Sequence, residues 1–415
     1  MIEMSHAKTF VILLLMPVLL LATVHRISGE DSKVLNDPVT RLDRQLENGN
    51  IKLDYAADNW GYLPSLLKYF NINIDSQVLV FSKTSFQLTK ISPKTPRALF
   101  FNDNVAIGSV QDGAVFELIS LDSSQGIIYY TLDTKKTDTP RFERRFSECL
   151  NCHGPANGLV VSSVYPSVDG LPFVTGTFFE GIDHRTPLEN RWGGWYVTGT
   201  HGSIHHMGNA VARNPDRPFD LEEEGTQNLK TLASKFDTTK YLTPTSDIVA
   251  LMTLEHQVHM TNLITGSTQQ FRHAADTWSG ERSKNNLDRS VEDMVAYMLF
   301  ADEAPIGDPG NSIKGVSTFT RTFSERGPRD RRGRSLRDFD LQKRLFRYPL
   351  SYMIYSDIFD AMPEIVRDRV YQRVYDILTG KDKNPKFARL SAEDRQSILE
   401  IVRDTKSSLP PYWKQ

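Results

Sequence analysis

The chain has 415 residues and two cysteines, and both cysteines fall within Cys149-Leu150-Asn151-Cys152-His153. That pentapeptide constrains the molecule more than any other stretch. Two thiols at this spacing, followed at once by an imidazole, have three principal uses. They can close a short disulfide in an oxidising compartment. They can give a zinc ion three of its four ligands, with the fourth brought from far along the chain. Or each thiol can form a thioether to a haem vinyl group while the histidine ligates the iron. A thioredoxin-type redox pair needs a preceding strand in a βαβ setting, which the flanking sequence does not offer. Covalent haem needs nothing beyond the five residues, and chance would produce the pattern only on the order of once in 10⁴ such chains. Cys149 and Cys152 are therefore read as the points that hold one haem c, and His153 as the proximal iron ligand.

The run CLNCHGPANG at 149–158, with Gly154, Pro155 and Gly158 after the histidine, resembles the attachment segment of class I c-type cytochromes. The resemblance is confined to these residues. It implies a small residue after the ligand so that backbone passes close to the haem, a short helix over 141–150 carrying the motif, and one-electron transfer as the activity. Beyond the motif the pattern departs from that mostly helical family. The stretches 160–174 and 191–200 read as extended, and Gly193-Gly194 between Trp192 and Trp195 signals a bend or a close backbone approach.

Residues 1–29 read as an export signal: Lys8, then an apolar run over 9–24 interrupted by Pro17, then polar sequence. The run is shorter than the roughly 20 residues a spanning helix needs, which favours a cleaved secretory peptide. The small-residue cleavage signal at Ile27-Ser28-Gly29 is weak, so an uncleaved N-terminal anchor is the alternative. Either way the expected location is outside the cytoplasm, periplasmic, where c-type haem is attached, and a membrane is a partner only if the anchor is kept. The formal net charge of −2 gives no reason to expect nucleic acid.

The expected fold class is α+β. Residues 36–140 form a β-rich domain, because short apolar runs at 78–132 alternate with turn signals such as Asn102-Asp103-Asn104 and Asp122-Ser123-Ser124. Residues 141–280 form a cytochrome c-like haem-binding region with β insertions, and 281–415 are mostly helical. Helices are expected at 247–265, capped by Thr245 or Ser246 with Asp247 suited to the positive N-terminal dipole and stopped by Gly266, and at 291–300, 351–359, 363–379 and 391–405.

The sixth position on iron decides the function. Met207 or His206, in His205-His206-Met207-Gly208-Asn209 near His201, is the candidate distal ligand. Met207 can equally be a gap-filling core residue. His256 and His259 share one helix face and are the candidates for a distal acid/base pair over an open iron. The competing reading makes His256 a core histidine and Glu255–His259 a surface pair, and gives His184 a turn hydrogen bond to backbone. Trp192, Trp195 and Tyr196 wall the haem or belong to the core. Arg144, Arg145, Arg185 and Arg191 are propionate candidates by closeness in sequence. Arg329, Arg331, Arg332, Arg334 and Arg337 either dock an acidic redox partner or are neutralised by the acids among them. Two functions follow: a monohaem electron carrier with a redox partner protein, or a haem-dependent oxidoreductase or small-molecule sensor, for which the length beyond one small domain argues.

Overall fold

The structure is a computed structural model; it describes residues 35–57, 60–145, 149, 153, 158–173, 181–275, 281–307 and 312–414. The expected export segment 1–29 and Cys152 lie outside the described residues.

The β-rich reading of 78–132 is met by strands β1 (Val78–Val80), β2 (Arg97–Phe101), β3 (Val105–Ser109), β4 (Val115–Asp122) and β5 (Gly126–Asp133). Side chains set the turns between them. Asn102 Oδ1 accepts from the amides of Asn104 and Val105, each at 2.9 Å, and Asp122 Oδ1 accepts from those of Ser124 and Gln125, each at 2.8 Å. Two further strands, β6 (Phe142–Arg145) and β7 (Trp195–Tyr196), complete an antiparallel sheet of order β6-β5-β4-β3-β2-β1-β7. The short helix expected over 141–150 is thus corrected in its first half, which pairs with β5 from Leu132↔Phe142 to Tyr129↔Arg145. Strand pairing wins there over a weak helical pattern.

Alternation along the strands sends successive side chains to opposite faces. Leu79, Phe100, Ile107, Leu118 and Tyr130 face one core, shared with α1 (Pro38–Glu47) and α2 (Leu63–Tyr69). Val78, Val80, Phe101 and Leu121 face the other, larger core, built mainly from helices. Its central element is α3 (Ile248–Ala275), surrounded by α4 (Glu281–Met298), α5 (Phe319–Glu325), α6 (Asp357–Asp360), α7 (Glu364–Leu378) and α8 (Ala392–Thr405). The α+β class is therefore observed, with most strands in the first half of the chain and most helices in the second.

The cap of α3 is Asp247 and not Thr245 or Ser246 as expected, its Oδ1 accepting from Val249 N at 2.8 Å. Its Oδ2 takes the amides of Val316 and Ser317, each at 2.9 Å, and so ties the helix start to a distant loop. From Ile248 to His256 the helix is buried on every side, and the polar Thr253, Glu255 and His256 in this stretch are each hydrogen-bonded. Gly266 does not stop it. The glycine is exposed, and the helix runs on because Thr265 bonds Thr261 O at 2.8 Å and Ser267 meets Ser290 of α4 at 2.6 Å. Packing thereby offsets the ~1 kcal/mol cost of an interior glycine.

Candidate haem-attachment site

The sheet face toward α3 is apolar at one end and polar at the other. Register places Phe101, Ala106, Ile119, Tyr129 and Arg145 in one row and Leu99, Gly108, Glu117 and Thr131 in the next. Arg97 lies across Gly108 to meet Glu117, Nη2 to Oε2 2.6 Å. A Cβ at position 108 would stand 2.6 Å from that same Nη2, so a larger residue there would push the guanidinium out of its present place. Ser85 and Gln87 also donate to Glu117, at 3.1 and 3.0 Å, and Arg145 Nε donates to Thr131 at 2.9 Å. Arg97 Nε is buried without a partner among the described residues.

His153 lies over this face, its ring stacked on Tyr129 at 5.3 Å and 21°. Its Nδ1 is 2.9 Å from the carbonyl oxygen of Gly158. A carbonyl only accepts, so Nδ1 carries the proton and Nε2 keeps its lone pair for a metal. Burial holds the imidazole below its ordinary pKa and so in the neutral, ligating form. Gly158 has φ +54°, and a Cβ there would meet Asn262 Oδ1 at 2.5 Å. Asn262 of α3 clamps the next residue from both sides: Leu159 N donates to its Oδ1 at 2.8 Å, and its Nδ2 donates to Leu159 O at 2.7 Å. The acceptor for His153 is thus held by the central helix. Cys149 is half-buried, and burial, with the Cys149 sulfur second, raises the pKa of the Tyr129 phenol. Cys149 and His153 are both helical.

These residues fit a covalently held haem in three respects: a thiol beside an aromatic wall, a histidine with Nδ1 committed to backbone, and a buried arginine nitrogen on the same face. Among the described residues no group of three or more His, Cys, Asp and Glu is placed to hold a metal ion unaided. Arg97 was missed by sequence reasoning. It lies far from the motif in the chain, and its only signal is a charged pair, Arg97 and Glu117, on strand positions that the alternation points inward.

Within two helical turns before Asn262, α3 carries His259 and His256 of a second polar cluster. His184 and His256 face each other, Nδ1 to Nδ1 2.9 Å, and His256 Nε2 is 2.8 Å from Ser351 Oγ. Both rings stack on Phe300, at 4.5 and 4.6 Å. His184 Nε2 is buried with no partner among the described residues. Asp183 binds Arg185 and lies 3.5 Å from His259 Nδ1, while Arg185 Nη2 donates to His259 Nε2 at 3.1 Å. Burial lowers His256 to about 3 and His259 to about 4. The turn bond to backbone expected of His184 is replaced by its pairing with His256. The surface pair expected of Glu255 and His259 is also corrected: Glu255 is fully buried and binds Arg191 through Oε1 and Trp192 Nε1 through Oε2, the latter at 3.2 Å.

The remaining candidates separate clearly. Met207 is buried, its sulfur accepting from Ser163 Oγ at 3.6 Å, and His206 is buried against Trp192 at 5.5 Å between ring centres. His201 uses both ring nitrogens locally, on Ile204 O and Asn228 N, and His205 is exposed beside Glu223. Trp192 and Trp195 belong to the larger core and Tyr196 to the smaller. Arg191 is spent on Glu255 and Arg185 on Asp183, and Arg145, on the His153 face of the sheet, pairs with Glu143. The five C-terminal arginines each meet a carboxylate: Arg329 with Asp338, Arg331 with Asp404, Arg332 and Arg334 with Glu400, Arg337 with Asp103. Arg337 is also buried between the rings of Phe323 and Tyr352, 4.6 and 4.3 Å from their centres. Comparison with protein-family profiles, with curated proteins and with solved structures returns no match.

Proposed function

We propose that the chain is an exported monohaem c-type cytochrome that exchanges single electrons with a redox partner protein. The observation that carries this reading is His153, with Nδ1 donated to Gly158 O at 2.9 Å and Nε2 left for iron, directly after the CxxC pair. Cys149 and Cys152 would hold the porphyrin, and the chemistry a bound haem c supplies is a one-electron iron couple. The residues around it do the rest. Tyr129 backs the imidazole, Gly158 fixes its tautomer, and Asn262 anchors the Gly158 segment to α3. Arg97 and Arg145 bring guanidinium groups to the same face, paired there with Glu117 and Glu143. Met207 or His206 is the candidate distal ligand of a closed iron.

The buried His184–His256 pair and the Asp183–Arg185–His259 cluster favour a second reading, a haem-dependent oxidoreductase or sensor with an exchangeable sixth position and His256 and His259 as its acid/base residues. Both readings are tested on full-length protein expressed with a haem c maturation system. A covalent haem mass and a pyridine haemochrome spectrum are expected, and both should be lost when Cys149 and Cys152 are replaced by serine. A parent protein that carries no covalent haem refutes both readings. Reduced protein that ignores CO fits the carrier; full conversion by CO fits the oxidoreductase or sensor.

A further inference from the structure

Phe300, whose ring stacks on His184 and His256, also lines a cleft of about 810 Å³ in the helical half of the chain. That volume is in the range of small-molecule sites. The walls carry seven Lys and Arg side chains against four Asp and Glu. Several of these cations are engaged: Arg332 and Arg334 with Glu400, Arg344 with Asp394, Lys386 with Asp302. Lys343, Arg347 and Arg389 have no carboxylate at ion-pair distance among the described residues. Arg389 is held in place by a bond from Nη1 to the backbone oxygen of Glu303. The lining also includes the buried apolar residues Leu299, Phe300, Phe387 and Leu390.

Two details set this cleft apart from an accidental surface depression. Phe300 has φ +53°, in the left-handed position that closes α4 through Phe300 N to Tyr297 O and Ala301 N to Ala296 O. That position usually goes to glycine, and a non-glycine residue held there marks a place where the surroundings fix the side chain. Glu303, in the same wall, is buried, with Oε1 bonded to Leu345 N at 2.8 Å, and burial pushes its carboxyl up to about 7. Near neutrality the wall therefore sheds part of its negative charge, and the cationic excess grows.

We propose that this cleft binds a small organic polyanion, with its carboxylate or phosphate groups taken by Lys343, Arg347 and Arg389 and an apolar body laid against Phe300 and Phe387. Guanidinium groups match such oxyanions with paired, charge-assisted hydrogen bonds. The inference uses no residue of the haem site and stands whether or not haem is bound there.

Calorimetric titration of the full chain at moderate salt tests it, with benzenetricarboxylate and pyrophosphate as the probes. Saturable one-site binding of at least one probe is expected, weakened about tenfold for each of Lys343→Ala and Arg347→Ala. Both residues are exposed, so the circular dichroism melt should not move. Tighter binding of the tricarboxylate assigns an aromatic or aliphatic carboxylate; tighter binding of pyrophosphate assigns a phosphate compound. Absence of saturable binding to both probes overturns the proposal. So does binding that the two variants leave unchanged, or binding of an acidic peptide when neither small anion binds.

Discussion

Glu255→Ala should destabilise the protein by about 3–5 kcal/mol, the usual cost of stranding one member of a buried ion pair. The size follows from what the carboxylate holds. Arg191 is 1% exposed and Glu255 0%. Glu255 is the carboxylate acceptor for Arg191 Nη1 and also accepts from the Trp192 indole. The other Arg191 donors go to Thr186 O at 2.7 Å and His184 O at 3.0 Å, neutral acceptors that cannot balance the charge. Unfolding entropy of about 2.1 cal/mol/K per residue over the described body gives roughly 0.8 kcal/mol/K. A loss of 4 kcal/mol then lowers the melting temperature by about 5 °C. Urea unfolding followed by circular dichroism reads the free energy directly. The double variant Arg191→Met/Glu255→Leu should recover most of the loss, because it removes the charge as well as its partner. The reasoning also has a pH signature. Burial raises the Glu255 carboxyl above 4.5 against the pull of Arg191, so at mildly acidic pH the folded protein keeps a proton that the unfolded chain has released, and the ionised pair is the state above that range. Stability from this residue therefore falls as pH rises from about 4.5 to about 7, and Glu255→Gln should remove that slope. A loss below about 1 kcal/mol in Glu255→Ala, or a double variant as weak as both singles summed, would refute the ion-pair account.

Three further outcomes follow. His256 and His259 are depressed to about 3 and about 4 from 6.5; the fold keeps them neutral while the unfolded chain protonates, so their contribution is complete above pH 6.5 and lost as pH falls toward 4. Acid unfolding measured from pH 7 to 4 should show this loss, with a shallower slope in His259→Gln. Gly193→Ala should abolish folding or cost several kcal/mol, because its Cβ would stand 2.0 Å from Val164 O, a backbone atom with no room to retreat; a variant that melts like the parent would disprove the close approach. Asp247→Ala should cost about 2–4 kcal/mol in thermal melts through loss of the α3 cap and of the bonds to Val316 and Ser317, and the accompanying structural change should be an increase in amide exchange at 316–317.

Much of the fold could be read from local pattern. Five strands of the sheet and the long helices announced themselves by alternation, helical spacing and turn residues, because those signals act over a few neighbours. β6 and β7 did not. Phe142–Arg145 and Trp195–Tyr196 are short, and each is a strand only because a distant edge of the sheet accepts it. Gly266 likewise carries a local stop signal, which the contact of Ser267 with Ser290 overrides.

The amino-acid sequence by itself carries the proposal of covalent haem at 149–153, since that reading rests on residue type and spacing within a few residues of chain. It also set the α+β class and the close approach at Gly193-Gly194. Only the tertiary structure decided which side chains surround His153. It brought Tyr129, Gly158, Asn262 and Arg97 around His153 from separate strands and from α3, buried Glu255 with Arg191, and paired His184 with His256. Those choices depend on which faces of a sheet and a helix meet across long stretches of chain, and no short-range pattern encodes that meeting.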